Sequence, residues 1–383
     1  SKLQLAEGSM GMVSTIAADL GHTMLFGALY SSRTLHLIPE EAGFDPDNFA
    51  RYMRSKKIAI LKIVPGHLAG LLQAQQAQDV LPDAALIVGG EAINPSLVQR
   101  IRELKPACRV INHYGPTETT VGALTFEIQQ QDKRIPVGRS LPGASACIVD
   151  RNLNAEPDNV RGELLLGGAG VARGYLNRPS LTAERFIPAN NGSAGARVYR
   201  TGDGAFYNDA GDIEYTGRID NQVKIRGYRV EPDEISHTLK SLPNIADACV
   251  ITRQNDKEQS LQLVGYYVVS NKTDNAGDAD KYKQWLAEKL PDYMVPATLI
   301  ALEVIPRTVN GKVDKNALPD AQAARRIYVA PVSETEKKIA AVWADVLKLE
   351  QVGITDNFFE LGGDSILSLQ IIARARREDR LEL

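Results

Sequence analysis

The residues best equipped for chemistry sit in a few short runs. Tyr114-Gly-Pro-Thr-Glu-Thr-Thr120 closes an apolar stretch with a Gly-Pro turn, then offers hydroxyls and one carboxylate. Hydroxyls and backbone N–H groups suit phosphate oxygens, and Glu118 suits a hard cation such as Mg2+. The same run also reads as a Thr-rich turn with a helix cap. Lys62 stands within Ala59-Ile-Leu-Lys-Ile-Val-Pro65, and period-two alternation puts it on one strand face with Ile60 and Val64. An ammonium on an apolar face is costly unless an anion meets it, or unless the strand is an edge from which the lysine snorkels to water. Asp203, in Thr-Gly-Asp-Gly, is either a turn carboxylate or an acceptor for a pair of hydroxyls. Lys312 follows Asn310-Gly311, a strong hairpin signal between β-type residues, which predicts a projecting tip.

These groups need a scaffold, and the chain is long enough to build one. Its 383 residues suggest two or three domains. Forty-four basic residues stand against 47 acidic ones, a net charge of −3 that leaves no basic excess for nucleic acid or an anionic membrane. Cys108, Cys147 and Cys249 are far apart and form no metal-ligand spacing, so they read as reduced, buried thiols. No apolar run reaches the length of a membrane span, and the first residues lack the order of a signal peptide. The expectation is a soluble, cytoplasmic protein.

The short apolar runs 59–65, 85–90 and 109–115 are bounded by Gly or Pro, as buried strands of an α/β sheet are. Between them, residues 94–105 carry Leu97, Ile101 and Leu104 at helical spacing, with Pro95 suited to a first helical position. Hairpins take over from about Gly138. A second region, 221–319, alternates strands with helices at 232–242 and 279–290, the pattern of a small α+β domain. Residues 320–332 read as a linker. Ser333-x-x-Glu336 is a capping box, and Ile339, Val342, Trp343, Val346 and Leu347 form the stripe of a helix behind it. A second helix is predicted from about Ser365.

Longer blocks occur in one order: residues 162–186, 199–203, 217–235, 290–296, 310–319 and 356–370. Together with the Tyr114 run, these closely resemble the adenylation and peptidyl-carrier domains of nonribosomal peptide synthetases, within the adenylate-forming superfamily. The resemblance covers essentially the whole chain. It implies an α/β fold for 1–220, the later portion of a large adenylation subdomain ending in a β-rich segment. It further implies a small α+β adenylation subdomain at 221–319, the linker at 320–332, and an all-α carrier at 333–383, truncated before its later helices. A phosphate loop of the form TSGTTGxPKG, expected upstream of residue 1, is not in this sequence. Gly168, Gly170 and Gly174 make half of a dinucleotide fingerprint, but the third glycine comes one residue late and no amphipathic helix follows directly.

Residue by residue, the resemblance implies that Tyr114 lines the adenine pocket, with Asn112 near its amino edge. Thr117 and Glu118 face the phosphates and Mg2+ of ATP, and Asp203 takes the ribose hydroxyls with Arg218 nearby. Lys312 bridges the amino-acid carboxylate and the α-phosphate, where an ammonium suits developing negative charge. Asp220 occupies the hinge on which the small domain swings. Gly204 departs from the family, which usually has a larger apolar residue there. Ser365, in Gly-Gly-Asp-Ser, is the 4′-phosphopantetheine attachment site, and a helix start there favours the phosphodiester.

The amino-acid pocket implied by the resemblance is lined by Asp19, Leu20, Thr23, Lys62, Ile87, Gly89, His113, Val121, Gly122 and Lys312. Asp19 pairs with the substrate ammonium. Gly89 and Gly122 leave space, while Leu20, Ile87 and Val121 limit it. Lys62 with His113 favours an acidic side chain, and the set resembles pockets selecting L-aspartate. Asparagine, glutamate and substituted aspartates stay open as alternatives. The expected reaction is ATP-dependent aspartyl-AMP formation followed by transfer to the pantetheine thiol. Expected partners are a phosphopantetheinyl transferase and neighbouring condensation or other synthetase domains. Two rivals are a CoA-type acid ligase of the same superfamily and a non-catalytic docking piece. The fused carrier element and Asp19 argue against the first, while the missing phosphate loop favours the second.

Overall fold

The computed structural model describes residues 7–375, apart from 130–131, 133, 190–194, 221, 226–227, 256–259, 271–278, 309–311, 320–327, 348, 357, 359–360, 362, 364–366, 369–370 and 373. The chain divides into two compact units, Ser1–Asp220 and Asn221–Leu383.

The first unit is built on a seven-stranded sheet. Strand β1 (Ser9–Met12) leads through helix α1 (His22–Tyr30) to β2 (Leu35–Leu37); α2 (Glu40–Gly43) and α3 (Pro46–Lys56) then precede β3 (Ile58–Ile63). Helix α4 (Pro65–Leu71), β4 (Ala85–Gly89), α5 (Pro95–Leu104) and β5 (Arg109–Tyr114) continue the alternation, and β6 (Leu124–Glu127) and β7 (Arg139–Ser140) complete the sheet. Its order is β2-β1-β3-β4-β5-β6-β7, parallel as far as β5 and antiparallel beyond it. All six residues of β3 are buried, so the uninterrupted apolar run reflects a strand covered on both faces. Helix starts follow from local chemistry: Asp45 caps α3 and Asn94 caps α5 by accepting a backbone N–H, each with Pro at the first turn.

The two sheet faces bury different sets. Leu61, Ile63, Leu86, Val88 and Val110 point into a core closed by Phe49 and Met53 of α3, Leu68 of α4 and Ile101 of α5. Ile60, Ile87 and Ile111 point the other way, against Met10, Met12 and Met24. Each fully buried large side chain of this kind contributes about 1.5–3 kcal/mol.

A second, β-rich layer follows: β8 (Ala144–Val149), β9 (Gly162–Gly168), α6 (Pro179–Arg185), β10 (Phe186–Pro188), β11 (Arg197–Tyr207) and β12 (Ile213–Arg218). Its strands run β10-β11-β9-β8, with β12 also on β11, all antiparallel. Tyr114, Leu124 and Val137 share one cluster with Ile148, Leu164, Leu166 and Ala205 of this layer, so the end of β5 is packed between the two sheets.

In the second unit, β13 (Val223–Ile225) pairs with β14 (Tyr228–Val230); α7 (Pro232–Lys240), β15 (Ile245–Asn255), β16 (Ser260–Val269), α8 (Ala279–Lys289) and β17 (Thr298–Ala301) follow. Val230, Ile235, Leu239, Tyr267 and Leu286 form their core. Helix α9 (Glu334–Val346) begins with the expected reciprocal capping box of Ser333 and Glu336. Val342, Val346 and Leu347 pack with Phe358, Leu361 and Ile371, while Trp343 is half-buried. Cys108 and Cys249 are buried and free; Cys147, expected to be buried, is free but half-buried on its strand.

Candidate active site

In parallel α/β sheets, ligands meet the carboxyl ends of the strands. Lys62, Ile87 and Ile111 are cross-strand neighbours near those ends, with Met12 beside Lys62, and Gly89 pairs with His113 one step further. Register alone therefore sets Lys62, Ile87 and His113 on one face. Asn112 and Tyr114 alternate to the other face of β5. One strand thus divides the residues assigned to the amino acid from those assigned to the nucleotide.

On the first face Lys62 is 2 % exposed, and its Nζ donates to Thr23 Oγ1 at 2.7 Å. Its β3 position is central, not an edge, so snorkelling is excluded. Burial lowers its pKa to about 8, and Asp19 acts in the opposite direction without forming an ion pair with it. His113 is 7 % exposed. Burial, with Lys62 nearby, lowers its pKa to about 3, so the ring is neutral at ordinary pH. His113 Nδ1 is buried without a hydrogen-bond partner among the described residues. An unmade bond of this kind typically costs about 1–3 kcal/mol.

The pocket glycines serve a different purpose from the space expected of them. A Cβ on Gly122 would stand 2.1 Å from His113 Cε1 and Nε2, and one on Gly89 would stand 2.4 Å from the His113 carbonyl oxygen. The room they leave is filled by His113. Next to Gly122, Thr120 and Val121 adopt left-handed φ values of +64° and +68°. For a β-branched residue this is sterically costly. Gly122 N donating to Thr120 O and Thr120 Oγ1 donating to Gly170 O secure the turn. Leu20, Thr23 and Val121 are half-buried. Asp19, half-buried after β1, accepts a hydrogen bond from the hydroxyl of Thr117, so a residue assigned to the amino acid touches one assigned to phosphate.

On the second face Asn112 Nδ2 donates to the Pro136 carbonyl at 2.8 Å, orienting its carboxamide oxygen outward from that bond. Buried Tyr114 donates its hydroxyl to Asp203, and burial together with the Asp203 charge pushes its pKa well up. Asp203 Oδ1 accepts from Arg218 Nη1 at 2.9 Å. Arg218 also donates from Nε to Asp220 Oδ1 at 2.8 Å and from Nη2 to Asp220 Oδ2 at 2.6 Å. Burial opposes the charge of Arg218, but the hydrogen bonds to Asp220 and the two carboxylates outweigh it and raise its pKa. Asp220 is the last residue of the first unit.

Three family models match the chain in order: AMP-binding enzyme at residues 4–176, AMP-binding enzyme C-terminal domain at 234–312, and phosphopantetheine attachment site at 337–379. A polypeptide of the plipastatin synthase of Bacillus subtilis (strain 168) is 40 % identical over 97 % of this chain and 14 % of the relative. A polypeptide of the linear gramicidin synthase of Brevibacillus parabrevis is 40 % identical over 97 % of this chain and 7 % of the relative. The chain carries the adenylation and phosphopantetheine-attachment domains of nonribosomal peptide synthetases. It spans only a small part of the length of these relatives. A solved synthetase protein containing adenylation and PCP domains, bound to a vinylsulfonamide inhibitor, has the same fold: TM-score 0.80 at 24 % identity, over 97 % of this chain and 61 % of that one. A four-domain nonribosomal peptide synthetase bound to AMP and glycine is 31 % identical, TM-score 0.53, over 100 % of this chain and 28 % of that one.

Within the adenylation region, several supporting residues carry no mark in the sequence. Tyr175 and Tyr199 donate their hydroxyls to Glu118 Oε1 at 2.6 and 2.8 Å. Burial, reinforced by the bonds to Glu118 and Tyr199, raises the pKa of Tyr175, so it remains a donor. Thr201 Oγ1 accepts from the backbone of Asp203 at 3.0 Å, and Arg185 stands 3.5 Å from Asp220 Oδ2. Phenols at positions 175 and 199 are visible in the sequence blocks, but no spacing rule connects them to Glu118. Lys312 lies in the second unit and is exposed; Thr308 N donates to its carbonyl at 2.7 Å, and Arg307 bridges Val313, an antiparallel approach of the kind a hairpin makes. The Asn310-Gly311 turn and Ser365 lie outside the described residues.

Proposed function

We propose that this chain activates L-aspartate for nonribosomal peptide synthesis, forming aspartyl-AMP and pyrophosphate from aspartate and ATP, then passing the aspartyl group to a phosphopantetheine thiol on Ser365 with release of AMP. The observation that carries the choice of amino acid is the buried pair Lys62 and His113. At pH 7 an ammonium with a pKa near 8 is mostly charged, and it makes no ion pair among the described residues. His113 is neutral, so the two together present one positive charge. One side-chain carboxylate balances it. Lys62 offers only donors, and a neutral His113 protonated on Nδ1 offers another. A carboxylate accepts from both, whereas the amide nitrogen of asparagine would turn a donor toward donors.

Asp19 would receive the α-ammonium, and Lys312 would meet the α-carboxylate and the α-phosphate as negative charge develops between them. Tyr114 would pack on adenine, whose amino group suits the carboxamide oxygen of Asn112. The ribose hydroxyls would replace the Tyr114 hydroxyl on Asp203, since that carboxylate is 3 % exposed. Glu118 with Thr117 fits Mg2+ bound in the usual way, through one carboxylate and the substrate phosphates. When bound, the metal neutralises phosphate charge; the protein residues supply orientation. Asp220, at the end of the first unit, serves as the hinge. A phosphopantetheinyl transferase and neighbouring synthetase domains complete the set of partners.

Calorimetry with non-hydrolysable aminoacyl sulfamoyl adenosines tests the specificity directly. The aspartyl analogue is expected to bind at least about a hundredfold more tightly than the asparaginyl one, because buried donors reject a mismatched group strongly. Equal binding, or a preference for an apolar side chain, overturns the reading. Intact mass after incubation with CoA and a phosphopantetheinyl transferase tests Ser365, with Ser365→Ala as the variant that must lose the mass gain.

A further inference from the structure

We infer that Tyr175 and Tyr199 are positioning residues that fix the carboxylate of Glu118 for a divalent cation; this rests on the reading of Glu118 as the Mg2+ residue. Both hydroxyls converge on the same oxygen, Oε1, and they stand 3.2 Å from each other. Two donors on one oxygen set the rotation of a carboxylate about its terminal bond, and with it the direction of Oε2. Phenols are neutral donors. They orient the group without cancelling its charge, as a guanidinium in the same place would.

The support behind these phenols is rigid and comes from the second layer of the unit. Tyr199 is fully buried on β11. The ring of Phe186 lies 5.1 Å from Tyr199 and 5.3 Å from Tyr175, centroid to centroid. Arg197 sits 5.8 Å above Phe186 and donates to the carbonyls of Ala172 and Arg173, holding the segment that delivers Tyr175. Ala172 N donates to the Glu118 carbonyl at 2.8 Å, and Tyr175 N donates to Thr182 Oγ1 at 2.9 Å. The segment is therefore fastened to the Glu118 turn by its backbone as well as by the phenol. Groups that orient a metal ligand in this manner are typically worth about 10–100-fold in metal affinity.

Tyr175→Phe and Tyr199→Phe remove one oxygen each and keep the rings that pack on Phe186. The probe is Mn2+ with α,β-methylene-ATP, followed by electron paramagnetic resonance titration on the full chain. Each variant is expected to weaken Mn2+ about tenfold while binding the nucleotide analogue without metal as before, and the Mg2+ needed for half-maximal ATP–pyrophosphate exchange should rise in parallel. Glu118→Gln is the benchmark. If it weakens Mn2+ but neither Tyr variant does, the phenols only pack, and the inference is overturned. If Glu118→Gln itself leaves Mn2+ binding unchanged, the metal reading beneath it is overturned. Tyr175 is half-buried, so its variant still decides the matter should Tyr199→Phe fail to fold.

Discussion

Lys62 is buried and Arg218 largely so, and these two cations of the first unit are housed in opposite ways. Lys62 sits on an apolar sheet face with one hydroxyl bond and no counter-ion among the described residues, beside a histidine whose Nδ1 has no partner there either. Arg218 is bound by two carboxylates and the Thr201 carbonyl, and Asp203 in turn holds Tyr114. A polar group left short inside a protein is costly unless something else completes it. The face proposed for the amino acid is therefore short of partners, as a pocket for an anion would be. The face proposed for the nucleotide has its polar groups bonded within the protein, which would suit groups whose task is orientation. The same physics separates recognition by deficit from support by saturation.

The largest expected effect comes from breaking the saturated side. Arg218→Met leaves Asp203, buried on all sides, without its cation. Loss of one member of a buried pair costs about 3–5 kcal/mol, so urea denaturation should show a fall of that size. A loss below about 1 kcal/mol would mean that the relay is solvated and that the contrast with Lys62 is false.

Lys62→Met breaks the deficient side, and stability should respond with the opposite sign. The folded-state pKa lies near 8 against 10.5 for a free lysine, so at pH 7 the native state bears a desolvation cost of up to ~3 kcal/mol. Between pH 8 and 10.5 the unfolded chain binds the extra proton. Wild-type stability should therefore rise with pH across that window through this residue, and the rise should vanish in Lys62→Met. At pH 7 the variant is expected to be as stable as the parent or more so, yet unable to bind the aspartyl analogue. Binding that survives the substitution would remove the electrostatic basis of the proposed specificity.

Much of this contrast was legible in the sequence, and the part that was not has a physical reason. Bounded apolar runs located β3, β4 and β5, and strand alternation put Lys62 with Ile60; local capping residues located α5 and α9. Those signals are local, as helix and strand periodicities are. The use made of Gly122 was not legible, because the ring it accommodates lies nine residues away and approaches through a turn with two left-handed residues. The bonds of Tyr175 and Tyr199 to Glu118 span 57 and 81 residues and depend on how two sheets pack, which no spacing encodes. The same holds for the Tyr114–Asp203 contact, 89 residues apart: each partner was marked as a site residue, but their direct bond came only with the fold.

The smallest expected effect sharpens the comparison from within the saturated side. Arg185 reaches Asp220 Oδ2 at 3.5 Å, a long contact, whereas Arg218 holds both oxygens of the same carboxylate at 2.6 and 2.8 Å. If saturation is set by the close bidentate partner, the outer arginine adds little. Arg185→Gln should then change stability by no more than about 1 kcal/mol, the range of weakly coupled ion pairs, and a double-mutant cycle with Asp220→Asn should give a coupling below that figure. A coupling of several kcal/mol would make Asp220 a three-body junction, and the relay would then extend from Asp203 through Arg218 and Asp220 into α6.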